Sequence, residues 1–296
     1  MRIVSLIASA TEMVHALGLG ACQVGRSHEC DYPAEVSTLP LCTRPRFEVE
    51  GSAKEVDQRV RAALGDAASV YEVFDDVIER LQPDVILTQS QCRVCAVSRE
   101  DVEAALAGRF GGHPRTVVAL EPYSLECIWE DIRRVASACG VSGAGDELVA
   151  RLQRDMDSYR GAGGGARVAV IEWQEPLMAA GHWTPELVEL VGAVNVDSAD
   201  LSAADPDVIV VAPCGYGLEK TISEMHWLTE RPEWPGLRAV REGRVYLADG
   251  NAYFNRPGPR VVQAVRILAE ILRDERDSGE GWMRFQPSSA LPAIQK

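Results

Sequence analysis

Basic charge is what this sequence has too little of: 30 Lys and Arg stand against 44 Asp and Glu, a formal net charge of −14. A chain so acidic repels phosphate backbones and anionic membrane surfaces, so no nucleic acid is expected among its partners. Long apolar runs are also missing. None approaches the roughly 20 residues of a membrane-spanning helix, and no membrane insertion is expected. There is no Walker loop, G-x-G-x-x-G fingerprint, H-E-x-x-H helix or Ser-His-Asp spacing, which removes the sequence grounds for a nucleotide enzyme, a zincin or a serine hydrolase. Aromatic residues make up only 6% of the chain, so loops in which they gather are informative. A hydrophobic content of 46% with 25% charged residues excludes extended disorder over most of the 296 residues, a length that suits two domains.

The N-terminal IVSLIA run is short and leads straight into a helical pattern, with no small-residue cleavage site and no lipobox-like Cys. From this a cytoplasmic location is expected, periplasmic or extracellular only for a processed form. The eight cysteines are then expected to be mostly reduced, which favours metal or thiol chemistry over disulfides.

Short β-branched runs alternate with helical patterns. Strands are expected at Ile3 to Ile7, Val24 to Arg26, Asp84 to Thr88 and Val117 to Leu120. Helices are expected from Ser9, where Glu12 three residues on makes a capping-box signature, over Lys54 to Leu81, and from Ser98 with Asp101 at the box position. Residues 124–165 read as a helical linker. Beyond it the alternation resumes with strands at Arg167 to Glu172, Asp207 to Ala212 and Arg244 to Leu247, and helices at Pro185 to Val191, Glu219 to Thr229 and Gly258 to Arg273. Such alternation predicts α/β lobes with parallel sheets, here at 1–123 and 166–273, with a polar, loosely packed tail at 274–296.

In open parallel sheets ligands gather beyond the carboxyl ends of the strands. The unusual loops all fall there: HECDYP at 28–33, QSQCRVCAVS at 89–98, AGHWTPE at 180–186, APCGYG at 212–217 and DGNAYFNRPGPR at 249–260. This placement suggests one shared ligand cleft between the lobes. Cys92 and Cys95 form a C-x-x-C before a helix N-terminus, where thiolate is favoured. With Cys30 and Cys214, and with His28 or His182 as further donors, they suit zinc or an iron–sulfur cluster. A redox disulfide and ordinary burial are the alternatives. Trp173, Trp183, Tyr216, Tyr253 and Phe254 offer flat faces to a planar or bulky ligand, His182 and Asn251 lie in the same loops, and Arg256 or Arg260 could clamp an anion. For Arg260 a surface ion pair is the alternative.

The opening IVSLIASATEMVHALGLG, the QPDVILTQ strand, PDVIVVAP and GRVYLADGNAYFNRPGP resemble the cobalamin and ferric-siderophore class of ABC-transporter substrate-binding proteins, over roughly residues 1 to 272. HECDYP, CRVCAVS, APCGYG and DGNAYFNRPGP look like a Cys-rich branch labelled cobalamin-binding protein. The resemblance implies two Rossmann-like lobes joined by a single long backbone helix, about residues 142–160, with the ligand held between the lobes. It also implies a small-molecule or metal-chelate ligand such as a corrinoid, and an ABC permease as partner. Two functions stand side by side: such a receptor, in which a neutral His is an axial ligand to a metal, and a cytoplasmic metalloenzyme or iron–sulfur protein using Cys30, Cys92, Cys95 and Cys214.

Overall fold

The computed structural model describes residues 1–66, 70–90, 97–107, 115–198 and 200–286. The chain divides into two compact units: residues 1–154 with 256–260, and residues 155–255 with 261–296.

The first unit is built from β1 (Ile3–Ser5), α1 (Ala8–Ala16), β2 (Gln23–Arg26), β3 (Thr43–Pro45), α2 (Ala53–Asp66), β4 (Tyr71–Val73), α3 (Asp75–Leu81), β5 (Val85–Gln89), α4 (Arg99–Leu106), β6 (Thr116–Leu120), α5 (Leu125–Ala138) and most of α6 (Ser142–Asp157). Its main sheet runs β2-β1-β5-β6, every neighbour parallel. The central strand β5 is buried at all five positions, as a strand covered on both faces must be. Val4, Leu6, Ile78, Ile86 and Val102 centre the core on one face of this sheet.

Two local expectations fail here. The helix expected over Lys54 to Leu81 is interrupted by β4, which pairs antiparallel with β3; Val70 and Tyr71 are buried, and that burial outweighs the helical periodicity around them. The Ser9 and Glu12 pair caps nothing. α1 starts one residue earlier, after Ile7, with no side-chain cap, and the Glu12 carboxylate is used elsewhere. At Ser98 the capping box is real: its hydroxyl accepts from Asp101 N–H at 3.1 Å and Asp101 accepts from Ser98 N–H at 3.3 Å.

The second unit comprises β7 (Arg167–Trp173), β8 (Met178–Ala179), α7 (Thr184–Leu190), β9 (Val194–Asn195), α8 (Leu201–Ala204), β10 (Val208–Val211), α9 (Leu218–Ser223), α10 (His226–Thr229), α11 (Arg238–Arg241), β11 (Val245–Ala248), α12 (Val261–Arg273), β12 (Ser278–Gly279) and β13 (Trp282–Arg284). Its sheet runs β12-β13-β11-β10-β7-β8, with β9 also on β7. β7, β10 and β11 are parallel, and β8 and β13 close the sheet antiparallel.

The tail departs from expectation as far as it is described. Instead of a loose arm, residues 278–284 form a hairpin on β11 whose Trp282 is 1% exposed and donates to Glu270 at 2.7 Å. Trp282, with Met283 and Phe285 packed against the core of the second unit, gives this polar stretch enough apolar area to be ordered.

Candidate functional site

In the first unit the loop after β2 carries His28 to Tyr32, and the side chains of His28, Cys30, Asp31 and Tyr32 meet residues distant in sequence. Thr43 Oγ1 in β3 lies 3.3 Å from the His28 N–H and 3.0 Å from Nδ1. Tyr71 in β4 packs on the imidazole at 5.3 Å between ring centroids. Burial, reinforced by the nearby Arg26 cation, lowers the His28 pKa to about 4. The ring is therefore neutral at physiological pH, and Nε2 has no hydrogen-bond partner among the described residues. The hydrogen bond between Nδ1 and the Thr43 hydroxyl runs in either direction according to the tautomer; in the tautomer with the proton on Nδ1, Nε2 presents a lone pair, the arrangement that orients a histidine toward a metal.

Next to it, Arg256 and Arg260 enter the first unit from the far end of the sequence. Arg256, 5% exposed, is held by both oxygens of Asp31 and by Glu12 Oε1 at 3.3 Å. Arg260 grips Glu12 in a fork, Nη2 to Oε1 at 2.6 Å and Nε to Oε2 at 2.9 Å, and lies 4.1 Å over the Tyr32 ring. Arg256 is thus engaged by the protein's own carboxylates rather than standing open as an anion clamp. Arg260, for which a surface pair was the alternative, is bonded to a carboxylate only 3% exposed. Beside them the Glu29 carboxyl, desolvated, is raised to about 7 despite the pull of Arg256.

Cys30 points into the core. Its sulfur accepts from Thr11 Oγ1 at 3.0 Å, and burial pushes the thiol up to about 11, so it is held protonated, unlike a ligating thiolate. Cys92 and Cys95 lie outside the described residues. Cys214 belongs to the second unit, partly buried. Among the described residues no group of three or more His, Cys, Asp or Glu side chains is arranged to hold a metal ion.

In the second unit the expected aromatic loops do gather at the strand ends. Trp173, at the end of β7, packs on Tyr216, in the loop after β10, with centroids 5.2 Å apart. Lys220 Nζ sits 5.5 Å over the Tyr216 ring and pairs with Glu224 at 2.8 Å. His182 is exposed and stacks on the buried Trp183, and its φ of +52 is a left-handed conformation unusual outside glycine. Asn251 N–H donates to Tyr216 carbonyl at 3.0 Å, joining the loop after β11 to the loop after β10. Phe254, 2% exposed, is a core residue, and Tyr253 packs over Gly281 of the C-terminal hairpin.

Nothing local in the sequence announces Thr43, Tyr71 or Glu12 as parts of this environment. Tyr32 was visible only as a member of the HECDYP loop, and it is 49% exposed, as Tyr123 is at 51% at the end of β6.

The model of one family, described as periplasmic binding protein, matches residues 3–252. The chain belongs to that family. A curated relative, the uncharacterized ABC transporter substrate-binding lipoprotein YvrC of Bacillus subtilis (strain 168), is 23% identical over 270 residues, 91% of this chain and 79% of that one. Among solved structures, the periplasmic heme-binding protein RhuT from Roseiflexus sp. RS-1 in apo form is 24% identical with a TM-score of 0.67, covering 92% of this chain and 98% of its own. The periplasmic vitamin B12 binding protein BtuF of Vibrio cholerae is 20% identical with a TM-score of 0.61, covering 93% and 98%. At these identities the likeness is one of fold. The expected cytoplasmic location is corrected by the same findings: the family is one of periplasmic binding proteins, and the curated relative is a lipoprotein. Among the described residues of this periplasmic binding protein, no helix is long and apolar enough to cross a membrane.

Proposed function

We propose that this protein is the substrate-binding component of an ABC importer, acting outside the cytoplasmic membrane in concert with a permease, and that its substrate is a metal chelate of tetrapyrrole or corrin type. The observation that carries the reading is His28: a neutral imidazole, oriented through Nδ1 by Thr43, with Nε2 unpartnered among the described residues. A side chain built this way supplies an axial nitrogen to the metal of a planar chelate. Tyr32, in the same loop and 49% exposed, adds an aromatic side chain of the amphipathic kind that bulky organic ligands use. Cys30, as a buried protonated thiol, has no part in this reading.

The test is a visible-absorption titration of the purified protein with hemin and, separately, with aquocobalamin. One of them is expected to give a saturable shift of its metal-ligation bands, and His28→Ala to abolish that shift and weaken binding by about 10–100-fold, the scale on which metal-site residues act. Failure of the wild-type protein to shift either spectrum overturns the reading. Shifts that persist unchanged in His28→Ala remove His28 from it.

A further inference from the structure

The expectation of reduced thiols rested on a cytoplasmic location, whereas periplasmic binding proteins work where disulfides form and persist. The topology of the first unit brings two of its cysteines to one corner. α1 follows β1 and leads to β2, which is parallel to β1, so the helix runs back along the sheet and ends at the edge where the strands begin. A tight turn there fixes Cys22, immediately before β2: the Leu19 N–H donates to the Val14 carbonyl at 2.9 Å and the Cys22 N–H to the Leu19 carbonyl at 2.8 Å. α5 follows β6 and descends beside it in the same sense. Asp131 accepts from the Glu121 N–H at 2.8 Å and, one turn on, Arg134 donates to the Ala119 carbonyl at 2.7 Å. Since α1 and α5 pack on each other, their C-terminal ends lie at the same edge, and the residue at the end of α5 is Cys139.

The two thiols are within electrostatic reach. Cys139 is 5% exposed, and its pKa is raised first by burial and then by the Cys22 sulfur. Neither sulfur has a hydrogen bond among the described residues. The other described cysteines have no comparable partner. Cys30 and Cys42 are each hydrogen-bonded and lie on opposite faces of the sheet, Cys30 against Thr11 of α1 and Cys42 in the core with Val4, Ile78 and Val102. Cys127, in the first turn of α5, is about 18 Å along the helix from Cys139, at the other edge. Cys214 belongs to the second unit.

We propose that Cys22 and Cys139 form a disulfide outside the cytoplasm, fastening the end of α1 to the end of α5 at the edge of the sheet away from the ligand loops. Cys22, partly exposed, is the entry point. Its thiolate attacks the sulfur of an external disulfide, carried by a small molecule or by a thiol oxidoreductase, and one thiol leaves; the Cys139 thiolate then attacks Cys22 Sγ and releases the second. The two protein thiols lose two protons and two electrons, and the external disulfide becomes two thiols. Neither cysteine takes part in the proposed ligand chemistry, so failure of the disulfide leaves the chelate-binding reading intact.

The experiment keeps the full chain folded. Fully reduced protein is incubated with oxidised glutathione, free thiols are alkylated in denaturant, and a tryptic digest is read by mass spectrometry without reduction. Residues 3–26 and 135–151 are each a single tryptic peptide with one cysteine, so the expected product is these two peptides joined, with the loss of two hydrogens. Formed in the folded protein, the link requires the two Cα atoms to lie within about 7 Å. The Tm of the oxidised protein is expected to exceed that of the reduced protein by about 5 °C or more. Cys22→Ser, at a partly exposed site, is expected to fold and to abolish both the joined peptide and that gain. Recovery of both peptides only as alkylated thiols or glutathione adducts, a link that appears only after unfolding in urea, or either cysteine joined to a different one overturns the proposal.

Discussion

Glu12→Gln tests the element that ties residues 256–260 into the first unit. The carboxylate is 3% exposed and takes three guanidinium contacts, two from Arg260 at 2.6 and 2.9 Å and one from Arg256 at 3.3 Å. Glutamine keeps the volume and one acceptor oxygen, but it removes the charge and turns an NH2 group toward a guanidinium. Breaking a buried pair by altering one partner costs about 3–5 kcal/mol, because the other charge stays behind in a poor solvent. Here the loss is smaller: Arg256 keeps the half-exposed Asp31, and Arg260 keeps the Tyr32 ring. The expected loss is about 2–4 kcal/mol, a large part of the 5–15 kcal/mol by which typical domains are stable. The control is Glu126→Gln, whose partner Arg133 is 3.7 Å away at an exposed site, with an expected change within about 0.5 kcal/mol. Two units need not unfold in one step, so urea unfolding is paired with hydrogen exchange read by mass spectrometry. Protection should fall in α1 and around residues 256–260. A loss under about 1 kcal/mol, or unchanged protection at 256–260, refutes the account of a buried carboxylate holding two arginines.

What was legible in the sequence depended on how far each residue's decisive contact lies along the chain. The strands Val85–Gln89 and Val208–Val211 are buried on both faces and carry the apolar runs VIL and VIVV, so composition alone locates them. The Ser98 capping box is legible because its partner is three residues away. The same spacing at Ser9 and Glu12 misleads, since the carboxylate is claimed by arginines 244 and 248 positions distant, which no local pattern encodes. β4 is hidden by its length: three residues between two helices leave no period to read, and only pairing with β3 shows it. The candidate site divides in the same way. That the loops follow strand ends is a consequence of parallel topology and could be anticipated. That His28 is neutral and held through Nδ1 could not, because Thr43 and Tyr71 reach it from a two-stranded sheet whose existence was not foreseen. Cys30 looked like a ligand by type and is buried by context; Thr11, on α1, decides the matter.

Two further outcomes are expected. Gly250→Ala places a Cβ 2.1 Å from the Pro213 carbonyl oxygen and 2.6 Å from Ala212 backbone atoms, which cannot swing aside as a side chain would. The cost should be about 2 kcal/mol or more, seen as a Tm lowered by roughly 4–8 °C, and an unchanged Tm contradicts the close approach of these two loops. For His28, the folded pKa of about 4 lies below the ordinary imidazole value of about 6.5, so its stabilising contribution is complete above pH 6.5 and is lost as pH falls toward 4, where the folded ring also takes a proton. An ordinary imidazole is about nine-tenths protonated at pH 5.5 and useless as a metal ligand, whereas His28 is still neutral there; chelate affinity should therefore hold within about threefold from pH 7 to 5.5, and a tenfold loss over that interval would mean that the axial donor is not this histidine.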